Sequence, residues 1–293
     1  MDEAPRHYTV HVDVAQGTEQ ELGAAWLWEQ GAVGVEERDG STLLAAEADG
    51  RVTLVGYFEE ADAARHAARS APGAWRARLL EHLGDGWREA WKAWFRPARL
   101  GRRLQVRPPW AALRPLPREV QVVIEPGTAF GSGMHETTRL ALRELDRWLL
   151  DGMAVLDVGC GSGILSIAAA LLGAGPVTGI DVDPEAVRVA ERNARDNGVA
   201  ACCDFSARPL EALSGRWPLV LANIQLEHLA PLAPALAARL APGGRLVVGG
   251  VLREELPEAR RHFEAQRAEG GPLRLRHVTA EGVWVCLLLQ APR

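Results

Sequence analysis

Lysine is nearly missing from this chain of 293 residues: of its 33 basic residues, all but Lys92 are arginine. With abundant alanine, glycine, proline and leucine, that bias reads as the imprint of a GC-rich genome rather than a functional device. Positive charge is not in excess either. The 38 acidic residues leave a formal net charge of −5, which argues against a nucleic-acid coat or a polybasic membrane anchor, although a local basic patch is compatible with it. Cysteine is scarce: Cys160, Cys202, Cys203 and Cys286 form no CxxC pair and have no histidine at ligand spacing. That pattern speaks against a structural zinc site and for free thiols in a reducing compartment. The longest apolar stretch, Ile164 to Leu172, falls well short of the roughly 20 residues that a bilayer crossing needs. The start, Met1-Asp-Glu-Ala-Pro-Arg6, carries acids where an export signal carries bases and then an apolar run. Internal repeats and low-complexity tails are also lacking. These absences predict a soluble, cytoplasmic protein without a metal centre.

What is present suffices for a large core, since 47% of residues are apolar and 24% charged. The length is about twice that of a common domain, so two folding units are expected. Tyr8 to Val14 alternates apolar and polar residues, the period of a strand with one buried face. Thr18 with Glu21 forms a capping box for a helix. Short strands are expected over Val33–Glu37, Thr42–Ala46 and Arg51–Tyr57, around a turn at Asp39-Gly40, and a second helix over Asp62–Ser70. This order resembles a small ferredoxin-like α+β domain over residues 1–78. Residues 79–98 then read as an aromatic helical linker: Trp87, Trp91 and Trp94 share one helical face, with Phe95 beside them and Pro97 ending the helix. Such a stripe either docks the linker on a domain surface or touches a substrate. From residue 99 to 293, after the proline-rich stretch through Pro117, strands alternate with helices. Strands over Val120–Glu125, Ala154–Val158, Val177–Ile180, Leu219–Ala222, Arg245–Gly249 and Val283–Leu289, with helices over Thr137–Leu150, Gly163–Leu172 and Pro184–Asn197, specify a doubly wound, Rossmann-like α/β domain with a parallel sheet.

Asp157-Val-Gly-Cys-Gly-Ser-Gly163 is a glycine-rich turn between a buried strand and a helix, where backbone must approach a ligand closely. A dinucleotide site wants G-x-G-x-x-G, but Ile164 stands where its last glycine belongs. The observed G-x-G-x-G is the pattern of class I S-adenosylmethionine-dependent methyltransferases. Asp181 ends the next strand, where an acid accepts the ribose hydroxyls of a nucleoside. Asp183 precedes Pro184 and reads as a helix cap rather than a ligand. Asn223 follows the apolar run Leu219-Val-Leu-Ala222 at a carboxyl edge, with an acceptor oxygen able to hold an attacking amine; pairing with backbone is the alternative. Upstream, Glu125-Pro-Gly-Thr-Ala-Phe-Gly-Ser-Gly-Met-His-Glu-Thr-Thr138 is a loop opening a helix, with amides and hydroxyls suited to a carboxylate.

That loop, the glycine turn and Ala222-Asn-Ile224 together resemble the PrmA family, bacterial methyltransferases of large-subunit ribosomal protein eleven. The aromatic linker and Glu281-Gly-Val-Trp284 are also similar to that family's text. The resemblance covers the second half through its motifs and the first only by shape and position. It implies S-adenosyl-L-methionine as cofactor, held by Thr138, Gly159, Asp181 and Asn223, with Asn223 also catalytic and no metal. It implies lysine ε-amines of a large-subunit ribosomal protein as acceptors, the N-terminal α-amine as a further one, no direct nucleic-acid or membrane partner, and a monomer whose first domain recognises the substrate. Departures are Glu125 for aspartate, Ser132 for threonine, changes at Met134 and Glu136 around the shared His135, and Gln225 beside the amine site. His135 fits either a general base or a residue ordering the loop. A small-molecule methyltransferase of the same fold and a non-catalytic cofactor-binding module remain as other classes; the first would have less use for a separate N-terminal domain, and the second would tolerate loss of Asn223.

Overall fold

The computed structural model describes residues 6–15, 18–32, 34–38, 51–58, 60–83, 97–125 and 135–293. The expected strand at Thr42–Ala46, the turn at Asp39-Gly40, the aromatic stripe Trp87–Phe95, loop positions 126–134 and the Thr18–Glu21 capping side chains lie outside the described residues. The chain divides into two compact units, Met1–Trp94 and Phe95–Arg293.

The first unit runs β1 (Arg6–Ala15), α1 (Thr18–Glu29), β2 (Gly34–Arg38), β3 (Arg51–Phe58), α2 (Ala61–Ser70) and β4 (Arg76–Leu83). Its sheet has the order β2-β3-β1-β4, antiparallel throughout. The alternation in β1 does what its period dictates. Val10, Val12 and Val14 are buried with Leu27 of α1, Val52 and Leu54 of β3, and Ala64 and Ala67 of α2. Strand β4 has no counterpart in the sequence pattern, and it carries the sheet past residue 78 to Leu83. Arg-Ala-Arg-Leu-Leu-Glu-His-Leu has no β-branched residue, so its strand character comes from pairing beside β1, Val12 opposite Ala77 and Val10 opposite Leu79, rather than from local propensity.

The second unit opens with β5 (Ala98–Leu100), β6 (Leu104–Arg107) and β7 (Val120–Val123), which make a separate small sheet. The Val120 strand therefore lies outside the main sheet. Then come α3 (Glu136–Trp148), β8 (Val155–Val158), α4 (Ile164–Leu171), β9 (Val177–Ile180), α5 (Pro184–Asp196), β10 (Cys203–Ser206), β11 (Trp217–Asn223), α6 (Leu226–Ala238), β12 (Leu240–Leu252), α7 (Leu256–Glu264), the short pair β13 (Arg267–Ala268) and β14 (Gly271–Pro272), β15 (Arg274–Glu281) and β16 (Trp284–Gln290). Seven strands form a sheet ordered β10-β9-β8-β11-β12-β16-β15. From β10 to β12 it is parallel; β16 runs antiparallel to both neighbours because a tight hairpin from β15 reverses it, so the sheet is mixed rather than wholly parallel. Strand residues alternate between two cores: Val155, Leu219 and Leu221 pack under α3, α4 and α5, while Leu156, Val220 and Ala222 pack under α6 and α7. Among the described residues no helix is long and apolar enough to cross a membrane.

Candidate functional site

The sheet order reverses between β8 and β11, since the chain leaves β8 toward β9 and β10 and returns to place β11 and β12 on the other side. Ligands of open α/β sheets bind in the crevice outside the carboxyl ends of the strands at that point. The turn after β8 is built for close approach. Gly159, Gly161 and Gly163 take φ of 70°, 52° and 78°, a region costly for any residue with a Cβ. A Cβ on Gly159 would also stand 3.0 Å from Ile224 Cδ1.

Asp181 follows β9 and faces this turn. The Gly161 N–H donates to its Oδ2 at 2.8 Å and the Asp183 N–H to its Oδ1 at 3.1 Å, so two backbone donors orient the carboxylate and leave lone pairs for vicinal hydroxyls. Asp183 itself caps α5, accepting from the Glu185 N–H at 2.8 Å. Below the turn, buried Asp157 accepts from the Ser166 N–H and hydroxyl at 3.1 and 2.7 Å. Burial, aided by the charge of Asp181 and opposed by the Ser166 bonds, pushes its pKa from 3.8 up to about 6.

Asn223 ends β11 directly opposite Gly249 of β12. Its Oδ1 is buried and has no hydrogen-bond partner among the described residues, and a Cβ on Gly249 would collide with that oxygen. Thr138, 1% exposed in the first turn of α3, likewise holds a buried Oγ1 with no partner among the described residues. Buried polar atoms normally find partners, and both of these unpartnered oxygens belong to residues that line the same cleft. His135 caps α3: its Nδ1 accepts from the Thr137 N–H at 3.3 Å and meets Thr137 Oγ1 at 2.8 Å. Its ring lies 5.1 Å from that of Trp284, at an interplanar angle of 68°.

These groups converge. Thr138, Gly159, Asp181 and Asn223 all line one cleft of about 750 Å³ that also takes in Gln225, Gly250 and Trp284. That volume suits a small-molecule ligand. At the Asp181 end, Val182 is 92% exposed and offers an apolar platform to a flat ring. The neighbouring wall is the segment Arg208 to Glu211, which escapes sequence reading because Cys203-Asp-Phe-Ser206 carries too little apolar text to announce β10. Gly249 and Gly250 escape it as site residues as well; the glycine pair after Val247-Val248 is the available signal. The cleft can hold a nucleoside at its acidic end and a polar, amino-acid-like group near Thr138 and Asn223. Among the described residues no cluster of three or more His, Cys, Asp or Glu could hold a metal ion.

Comparison with known proteins gives a consistent result. The family model described as "Ribosomal protein L11 methyltransferase (PrmA)" matches residues 10–292. The chain is 41% identical to the ribosomal protein L11 methyltransferase of Sorangium cellulosum over 98% of this chain and 97% of that one. It is 40% identical to that of Pelobacter propionicus over 83% and 77%. Among solved structures, a ribosomal protein L11 methylase from Lactobacillus delbrueckii subsp. bulgaricus superposes with a TM-score of 0.60 at 30% identity, covering 68% of this chain and all of that one.

Proposed function

The chain belongs to the ribosomal protein L11 methyltransferase family, and from that premise we propose that it transfers methyl groups from S-adenosyl-L-methionine to lysine ε-amines, and to the N-terminal α-amine, of large-subunit ribosomal protein L11. The observation that carries this reading is the convergence of Thr138, Gly159, Asp181 and Asn223 on one cleft, with Thr138 Oγ1 and Asn223 Oδ1 left without partners among the described residues. S-adenosyl-L-methionine, when bound, supplies a methyl group already activated by a sulfonium. The remaining work falls to the chain. Asp181 accepts the ribose hydroxyls, the Gly159 turn gives the backbone access, and the Thr138 hydroxyl donates to the amino-acid end. Asn223 Oδ1 accepts an N–H of the incoming amine and so aims its lone pair. A lysine amine has a solution pKa of about 10.4, so the cleft must favour the neutral form by partial desolvation, and the proton leaves to solvent.

The first unit has the element order and antiparallel strand order of a ferredoxin-like domain, which supports that reading. We assign it the grip on the protein substrate, with the aromatic linker joining it to the methyltransferase domain. A monomer working in the cytoplasm on a ribosomal protein substrate completes the proposal. The test is transfer of a labelled methyl group to purified large-subunit proteins. Label on L11 alone supports the proposal. Label confined to small amines, or cofactor binding with no transfer, overturns it in favour of a small-molecule enzyme or a binding module.

A further inference from the structure

The hairpin at the end of the chain carries a second functional element, and the sheet order places it. Trp284 pairs with Leu252 where β16 starts, so it stands at the same sheet end as Asn223 and Gly249. Neighbouring strands are about 4.8 Å apart, which puts the Trp284 strand about 10 Å from that of Asn223 and about 19 Å from that of Asp181. Asp181 and Trp284 both line the cleft, so by the strand order they stand on opposite sides of Asn223, with His135 beside Trp284.

Trp284 is held there from two sides. Glu281, three residues earlier, accepts from Arg139 Nε and Nη2 at 2.9 and 2.5 Å and from Arg143 Nη1 at 2.6 Å. Both arginines lie on α3, the helix whose first turn holds Thr138 and whose cap is His135. Partial burial by itself would raise the Glu281 carboxyl, but Arg139 and then Arg143 hold it below the usual carboxylate range, so the clamp stays charged at neutral pH. On the other side, the Arg253 N–H donates to the Val283 carbonyl at 2.7 Å and its guanidinium to the Gly282 carbonyl at 3.0 Å. The hairpin tip is thereby tied to α3 and to the turn after β12.

We propose that Trp284 is the acceptor-side wall of the cleft, selecting amines borne on long unbranched aliphatic stems, and that Glu281, clamped by Arg139 and Arg143, is the positioning residue that holds it. The inference rests on the methyltransferase reading above. An indole face attracts both the methylenes of a lysine stem and the cationic head before its proton is lost, whereas an α-amine on the peptide backbone has no such stem to lay against it.

The test compares wild type, Trp284→Ala, Trp284→Phe and Glu281→Gln for S-adenosylmethionine affinity by calorimetry and for methylation of L11 by peptide mass spectrometry. Trp284→Ala should raise the KM for L11 about tenfold and lower the ratio of ε- to α-amine methylation, with cofactor affinity changed less than about twofold. Trp284→Phe should restore most of the loss, and Glu281→Gln should show the same pattern more weakly. Unchanged KM and amine ratio in Trp284→Ala would overturn the proposal with the methyltransferase reading intact. Loss of cofactor affinity in that variant would move Trp284 to the cofactor side and also overturn it. Absence of transfer by the wild type would remove the underlying reading, and this inference with it.

Discussion

Asp181 shows how a single carboxylate is prepared by backbone alone. Two N–H groups, from Gly161 and Asp183, fix its plane at the cleft edge. With Asp181 proposed to accept two ribose hydroxyls, Asp181→Ala should weaken S-adenosylmethionine binding by one to two orders of magnitude, about 1.4–3 kcal/mol. Calorimetry giving equal affinities would contradict that role. Asp157 answers to pH instead. Its folded pKa of about 6 lies above its ordinary 3.8, so between these values the folded chain keeps a proton that the unfolded chain has released. Its stabilising contribution is complete below the lower value and is lost as pH rises through the upper one. Asp157→Asn should flatten this part of the stability profile in thermal melts between about pH 4 and pH 7. Parallel profiles for the two proteins would show that the carboxyl does not titrate there.

At the scale of elements, the register of β11 on β12 sets the amide of Asn223 against Gly249. Gly249→Ala should therefore lower turnover about tenfold or more by displacing Oδ1, while the Asp181 end keeps its grip on the cofactor; the split between kcat and cofactor affinity reads this directly. Equal turnover would mean that Oδ1 tolerates the shift. The limits of sequence reading also lie at this scale. Gly159, Asp181 and Asn223 are legible because a glycine-rich turn, an acid and an amide each follow a continuous apolar strand, which is local text. The pairing of Asn223 with Gly249 and the approach of Trp284 to His135 depend on strand order, which no local pattern encodes. Strands β4 and β10 are hidden because Arg76–Leu83 and Cys203–Ser206 take their conformation from pairing partners at sheet edges.

On the scale of the whole molecule, the described residues that line the cleft belong to the second unit. A fragment of residues 95–293 has its own two-sided core. It should fold, bind cofactor with nearly native affinity and fail to methylate L11, since the grip on the protein substrate is assigned to the first unit. Full-rate methylation by the fragment would refute that assignment, and an insoluble or molten fragment would make the first unit a stabiliser. Length and the tryptophan- and proline-rich stretch predict two units with the first ending at residue 78, whereas β4 carries the first sheet on to Leu83, beyond the point where apolar alternation fades. Methylation of ribosomal-protein amines in this cleft is tested most directly by peptide mass spectrometry of L11 after incubation with S-adenosyl-L-methionine and either the full chain or Asn223→Ala. The full chain should place methyl groups on lysine ε-amines and the N-terminus, and the variant at least about tenfold fewer per unit time, with no comparable loss of cofactor binding. Unmodified L11, or equal modification by both proteins, would contradict it.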